Sequence, residues 1–309
     1  MALDTQAQAV ADAMAQWPPL DFASLSVADY RAGLAAFPPP PTPEVALSAI
    51  EDRVLCGPGG DLRYRLYRPR ASGRLPLTVF FHGGGFVACG LDTHDNICRV
   101  LAARASTLVA SVDYRLAPEH KFPAAVLDAV AAVRGLREDA EAIGADASRI
   151  AVAGDSAGGN LAAVAAQALR GLVCHQLLFY PVTHLASESA SYSEFAHGPM
   201  LTRTMMRWFA AHYLPDAAAA CDARASPLRE SDLRSVAGAT VITAECDPLR
   251  DEGEAYAQAL RRAGVEVLAR RWPQQFHGFV SLLGQLDAAG QALAFGAESL
   301  RQALDTRTR

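Results

Sequence analysis

From Glu51 onward, apolar and polar positions fall into two textures. "EDRVLC" and "LRYRLYRP" alternate, the pattern of two antiparallel strands around the turn Gly57-Pro58-Gly59-Gly60. Beyond them, short continuous apolar runs predict buried strands at Leu75–Phe81, Thr107–Tyr114, Arg149–Gly154, His175–Tyr180, Ala239–Glu245 and Val265–Arg271. Helical spacing covers Asn96–Ala105, Pro123–Ala142, Ala157–Arg170 and Asp251–Ala263, with Gly264 placed to end the last of these. Strand–helix alternation implies an α/β fold: a mostly parallel sheet with helices on both faces.

Two stretches break this rhythm. Residues 1–50 are helical in pattern and are interrupted by Pro38, Pro39, Pro40, Pro41 and Pro43. They read as N-terminal helices on a stiff linker, ahead of a main domain over 51–309. Residues from about 183 to 225 contain no good strand, but carry Tyr192, Phe195, Met200, Met205, Met206, Trp208, Phe209 and Tyr213. An insertion here, between two core strands, is expected to rise above one edge of the sheet. Its aromatic and methionine side chains suit both helix packing and the lining of an apolar pocket.

Composition narrows the class. The 309 residues are 51% hydrophobic and 20% charged, enough for a large core. Net charge is -5 and the basic residues are scattered, so nothing marks a nucleic-acid surface. No stretch approaches the ~20 apolar residues of a membrane span. The first basic residue is Arg31, and Asp4 and Asp12 interrupt the only early apolar run, so no secretory leader is expected. Six cysteines show no C-x-x-C pair, which argues against a zinc site. Reduced, buried thiols in a cytoplasmic protein are the expectation.

The chemistry concentrates where strands end. Arg149–Gly154 stops at Gly154-Asp155-Ser156-Ala157-Gly158-Gly159, and a helix follows at once. A serine hydroxyl is a poor nucleophile and must be presented to a base without being covered by its neighbours. A tight strand-to-helix turn does this, with small residues at 154 and 158 where the backbones close in. Leu77–Phe81 leads into His82-Gly83-Gly84-Gly85-Phe86. Glycine N–H groups at 83 and 84 are expected to face a developing oxyanion, with the Ala157 N–H as third donor. A phosphate loop is the alternative, but neither G-x-G-x-x-G nor a Lys-Ser/Thr pair is present. His82 is expected to shape the loop, not to serve as base.

An acid and a base should follow in the order Ser, Asp/Glu, His. Asp247 lies just beyond Ala239–Glu245, and His277 beyond the strand ending near Arg271. His277 is expected to take the serine proton while Asp247 holds its tautomer. Glu245, Asp251 and Glu252 are rivals for Asp247. The remaining histidines (His94, His120, His175, His184, His197, His212) lack ligand spacing and read as surface or packing residues.

HGGGF, YRLAPEHKFPAAVLD, GDSAGGN, DPLRDEGEAY and HGF together resemble the hormone-sensitive-lipase family of α/β-hydrolase esterases, bacterial family IV, from about Leu75 to the C-terminus. The resemblance implies an eight-stranded, mostly parallel sheet under a helical cap built from the N-terminal helices and the 183–225 insertion. It implies Ser156, Asp247 and His277 as triad and Gly83, Gly84 and Ala157 as oxyanion hole. It implies hydrolysis of short- to medium-chain carboxylic esters through an acyl-enzyme, a small-molecule ester as partner, and no cofactor. Phe86, Met205, Trp208 and Phe209 are the expected pocket residues. Members often pair through an edge strand, so a homodimer is an expectation. Gln274-Gln275-Phe276 is bulkier than the residues often found before the histidine, and is expected to narrow the pocket. The YRLAPEH loop is expected to brace the nucleophile turn, and Asp155 to bind backbone groups locally.

Two other functions compete with this reading. Gibberellin receptors share the scaffold without catalysis, but such a protein should lack a triad member. An amidase or deacetylase on the same triad remains the alternative enzyme. A peptidase of this superfamily usually carries a large extra domain, for which there is no room.

Overall fold

A computed structural model describes residues 2–37 and 44–305. The predicted proline linker (Pro38 to Pro41, and Pro43) lies outside the described residues. Eight strands form one sheet: β1 (Leu47–Gly57), β2 (Gly60–Pro69), β3 (Leu75–Phe81), β4 (Leu108–Val112), β5 (Ala145–Asp155), β6 (Val173–Phe179), β7 (Gly238–Cys246) and β8 (Val267–Phe276). Their order is β1-β2-β4-β3-β5-β6-β7-β8. The β1–β2 and β2–β4 pairs are antiparallel, and the rest are parallel. The two textures of the sequence explain this. Every residue of β3 and β4 is buried, as a two-sided parallel sheet requires, whereas β1 mixes exposed and part-buried positions at the sheet's edge.

Helices cover both faces. On one, α4 (Ala124–Glu138), α5 (Ala157–Ala168) and α8 (Arg250–Arg262) build the larger apolar core. On the other, α3 (Asp95–Ala105) packs with α9 (Asp287–Asp305). Helix α9 lies outside the helices expected from the sequence. Its buried stripe joins Leu293, Leu300 and Leu304 with Ala289, Ala292, Gly296 and Ala297, whose small side chains suit close approach. A Cβ at Gly296 would lie 3.1 Å from Leu177 and Phe179.

The N-terminal segment divides in two. Helix α1 (Thr5–Met14) sits on the carboxyl end of β8: the Asp4 N–H donates to Gln274 O at 3.3 Å, and Gln275 Nε2 donates to Asp4 Oδ2 at 2.5 Å. Helix α2 (Val27–Ala35) instead meets the insertion, where Tyr30 packs edge-on to Trp208 and Phe209 at 5.2 and 5.7 Å between centroids. Strand β1 begins at Leu47, inside the stretch read as helices and linker. The insertion itself holds α6 (Ala190–Glu194), α7 (Arg203–Tyr213) and a 3-10 turn at Ala218–Cys221. Among the described residues no helix is long and apolar enough to cross a membrane. Buried thiols are only part of the picture: Cys98 and Cys246 are buried, but Cys56 and Cys221 are exposed.

Candidate active site

Ser156 ends β5 and starts α5 with φ 54° and ψ -116°, a strained backbone that lifts its side chain out of the sheet. The close approach requires glycine. A Cβ on Gly158 would stand 1.9 Å from Phe81 O, and one on Gly154 would stand 2.3 Å from Gly158 O. The turn is tied down by Ser156 N–H donating to Phe179 O at 2.9 Å and Val182 N–H donating to Ser156 O at 3.1 Å.

Parallel β7 and β8 end on the same side as β5, which brings the later residues to the serine. His277 Nε2 is 2.9 Å from Ser156 Oγ, and His277 Nδ1 is 2.8 Å from Asp247 Oδ2. With a carboxylate facing Nδ1, that nitrogen carries the hydrogen, so Nε2 accepts from the serine hydroxyl. Asp247 is fully buried, and its other oxygen accepts the Leu249 N–H at 2.8 Å.

The rivals of Asp247 are engaged elsewhere. Glu245 accepts the Gln274 N–H at 2.8 Å, and Asp251 pairs with Arg250 and accepts the Ser191 N–H. Glu252 accepts the N–H groups of Thr183 and His184 at 2.7 and 3.1 Å. Burial pushes the Glu252 carboxyl up to about 8, against those two N–H groups, with the Asp247 charge adding to the rise.

The glycine loop departs from expectation at its first position. The Gly83 N–H donates inward to Asp155 Oδ1 at 2.8 Å, so it is not available to an oxyanion. A Cβ on Gly83 would lie 2.5 Å from Asp155 Oδ2, which explains why glycine is needed there. Gly84 (φ 106°) and Gly85 (φ 63°) turn the chain over the cavity instead, and no hydrogen bond from either N–H is found among the described residues. The Ala157 N–H, in the first turn of α5, is the further donor beside Ser156. The sequence motif gives three adjacent glycines but not which N–H groups face outward; the Asp155 contact decides that.

His82 shapes the loop as expected. Its Nδ1–H donates to Gly83 O at 2.7 Å, its carbonyl accepts the Tyr114 hydroxyl at 2.7 Å, and its ring stacks on Tyr114. Burial pushes its pKa down to about 4, so it is neutral. The YRLAPEH loop therefore braces the glycine loop through Tyr114, while Arg115 grips Asp128 of α4. His94 is not a surface residue: it is buried, with Nε2 3.1 Å from Asp155 Oδ1. Burial by itself would raise the Asp155 carboxyl, but His94, His82 and His277 together outweigh it and Asp155 lies below its ordinary value. His175 is a packing residue, with Nε2 3.0 Å from Thr240 Oγ1.

A cavity of about 210 Å³ opens at Ser156 and His277. Phe86, Met205 and Phe209 line it, together with Tyr30 and Leu34 of α2 and Met206. Phe86 is held by stacking on Tyr213 at 3.8 Å. Trp208, expected in the pocket, faces away from it toward Phe22 and Tyr30. Trp208 stands about 100° round α7 from Phe209, and its ring is taken up by these α2-side aromatics instead of the cavity. Gln274, Gln275 and Phe276 do not narrow the pocket: Gln274 and Gln275 bind Asp4 and Glu245, and none of the three is among the lining residues. No cluster of three or more His, Cys, Asp or Glu suited to a metal occurs among the described residues.

Several known proteins are similar to this chain. A family model described as alpha/beta hydrolase fold matches residues 78–281. LipN of Mycobacterium tuberculosis, named a carboxylic ester hydrolase, is 44% identical over 81% of this chain and 69% of its own. NlhH of the same organism, named a carboxylesterase, is 42% identical over 86% of each chain. A hyperthermophilic esterase from Pyrobaculum calidifontis superposes with a TM-score of 0.91 at 38% identity, over 98% of this chain and 99% of its own. The chain thus belongs to the α/β-hydrolase family, in its hormone-sensitive-lipase branch of carboxylic ester hydrolases.

Proposed function

We propose that the protein is a serine carboxylesterase acting on short- to medium-chain esters through an acyl-enzyme. The observation that carries this is the unbroken chain from Asp247 through His277 to Ser156 Oγ, at 2.8 and 2.9 Å, on the floor of an apolar cavity. Ser156 Oγ attacks the ester carbonyl carbon as its proton passes to His277 Nε2. Asp247 stabilises the imidazolium and keeps the ring aligned. The carbonyl oxygen becomes an oxyanion facing the N–H groups of Gly84, Gly85 and Ala157, donors fixed before the charge appears. Collapse of this intermediate breaks the carbon–alkoxy bond, and His277 returns the proton to the departing alcohol. Water then attacks the acyl-serine with His277 again as base, releasing the carboxylic acid.

Chain length follows from the walls. Leu34, Met205, Met206 and Phe209 offer apolar contact, and each buried CH₂ contributes about 0.8 kcal/mol until space runs out. The limited cavity favours acyl groups from acetate to roughly butyrate or hexanoate. The test is a p-nitrophenyl ester series together with mass spectrometry after treatment with an alkyl phosphonate. A rise and fall of kcat/KM along the series, with one adduct on Ser156, is expected. Adduct on another residue, or efficient cleavage of long-chain triglyceride emulsions, would overturn the reading.

A further inference from the structure

A second His–carboxylate pair stands beside the triad and takes no part in the proton path above. Asp155, directly before the nucleophile, is buried and points away from His277 into the glycine loop. Its Oδ1 receives the Gly83 N–H at 2.8 Å and lies 3.1 Å from His94 Nε2, and that ring nitrogen also stands 3.2 Å from the Gly83 nitrogen. His94 stands at the start of α3, also buried, and its Nδ1 meets Thr93 Oγ1 at 2.8 Å. Thr93 Oγ1 accepts the Gly90 N–H at 3.0 Å and lies 2.9 Å from Gly90 O; with its hydroxyl hydrogen turned to His94 Nδ1, Nε2 carries the ring hydrogen and donates to Asp155. The position of Gly83 is therefore set by the Asp155 carboxylate together with His94, which stands at the start of a different helix and touches both.

The consequence reaches the reaction through two residues. The backbone orientation at Gly83 fixes the direction of the next two peptide groups, those of Gly84 and Gly85, which line the cavity. Gly84 and Gly85 both have positive φ, so their loop has no regular element to hold it. Its other ties include the Tyr114 hydroxyl on His82 O, His82 Nδ1 on Gly83 O, the Ala117 N–H on Phe86 O and the turn bonds from Val87 and Ala88 N–H to Gly84 O. Without His94, Asp155 Oδ1 loses a donor in a buried site and is free to rotate off Gly83 N–H. We propose that His94 is a positioning residue for the oxyanion hole, holding Asp155 so that the Gly83 contact aims the Gly84 and Gly85 N–H groups at the developing charge. This rests on the serine-esterase reading, because an oxyanion must form for the aim to matter.

Three variants test it. His94→Gln places an amide N–H near the reach of Nε2, His94→Leu removes the donor, and Thr93→Val removes only the support behind the ring. Each is compared with wild type for kcat and KM on p-nitrophenyl butyrate, for Ki of an alkyl trifluoromethyl ketone, and for Tm. The ketone becomes a hemiketal oxyanion on Ser156, so its Ki reads the donors directly. Misalignment of a donor pair should cost roughly tenfold to a hundredfold, below the loss from deleting a donor. The expectation for His94→Leu is a fall of that size in kcat with KM nearly unchanged, and a matching rise in the ketone Ki. His94→Gln should recover most of both. Should His94→Leu not fold, Thr93→Val decides, with the same paired change at smaller size. A fall in kcat without a rise in Ki, a kcat within twofold of wild type, or a His94→Gln protein as impaired as His94→Leu at equal Tm would overturn the positioning role. Phosphonate labelling of wild-type Ser156 separates the two readings. Wild type that is neither labelled nor active overturns both, whereas labelled, active wild type with unaffected variants overturns this one only.

Discussion

Arg31 of α2 holds Glu119 with both arms of its guanidinium, at 2.7 and 2.8 Å, while donating to the carbonyls of Val87 and Ala117 at 2.7 and 2.8 Å. One side chain thus ties the helix that brings Tyr30 and Leu34 to the cavity onto the loop that follows Gly84 and Gly85. Such a bidentate pair fixes orientation more than it adds stability, because Glu119 is largely exposed. Arg31→Met should loosen α2 without disturbing the sheet. The expected result is faster proteolysis within about the first forty residues, and a loss of kcat/KM that grows with acyl length. An unchanged chain-length profile would show that α2 does not shape the acyl site. The Arg31 hydrogen bonds hold the Glu119 carboxyl down at about 2, so this tie is complete above the ordinary carboxyl range and is lost only as pH falls through about 2.

The triad predicts graded losses. Ser156→Ala should fold normally and lose roughly 10⁴ to 10⁶ of kcat. Asp247→Asn should lose roughly 10⁴ through the wrong imidazole tautomer. Glu245→Gln and Asp251→Asn should stay within about tenfold of wild type, since their partners are Gln274, Arg250 and Ser191 and not His277. Steady-state rates on one ester settle the ranking, and a crippling effect at Glu245 or Asp251 would misplace the acid.

Two glycines should respond in opposite directions. Gly158→Ala forces a Cβ to 1.9 Å from Phe81 O, backbone against backbone, and should abolish the nucleophile turn. Gly33 sits inside α2 with nothing within 4 Å of a built Cβ. Gly33→Ala should therefore stabilise by about 0.5 to 1 kcal/mol through helix propensity and reduced freedom of the unfolded chain. Thermal unfolding reads both, and a destabilised Gly33→Ala would point to an unseen contact on that face.

Glu252 should give stability a pH dependence. Its carboxyl ionises at an ordinary 4.5 when unfolded and at about 8 in the folded protein, chiefly because it is buried. Across that window the folded state keeps a proton that the unfolded chain has released. Stability therefore falls as pH rises from about 4.5 to about 8, then levels off. Glu252→Gln cannot release a proton and keeps an oxygen for the Thr183 and His184 N–H groups. Its urea-unfolding free energy should change less across this range than that of wild type. Parallel pH curves for the two proteins would refute the assignment.

The pocket wall offers a final comparison. Phe209→Ala should broaden the acyl preference toward longer chains, because Phe209 lines the cavity and lies against Gly85. Trp208→Ala should lower Tm with little change in that preference, since its ring packs on Phe22 and Tyr30. The chain-length series on the two variants distinguishes them; equal shifts would mean that Trp208 also shapes the cavity.

The sequence by itself determined the parts whose physics is local. Continuous apolar runs marked the buried strands, alternation marked the β1–β2 pair, and glycines at 154 and 158 marked the one turn tight enough to present a serine. Asp247 and His277 were legible because parallel strands deliver their carboxyl ends to one edge, so a residue just past each strand is near Ser156. What only the tertiary structure decided depends on contacts between distant segments. Helix α9 carries Leu293, Leu300 and Leu304 at helical spacing, but its place beside α3 follows only from what packs on it. Trp208 and Phe209 are equally apolar in sequence, and the rotation of α7 against α2 separates them. Three consecutive glycines look alike until Asp155, seventy-two residues away, takes the Gly83 N–H. His94 showed no ligand or triad spacing, because its role comes from packing against that same carboxylate and not from its neighbours in the chain. A hydrogen bond between distant residues leaves no period in the sequence, and such bonds determine which donors remain open to the substrate.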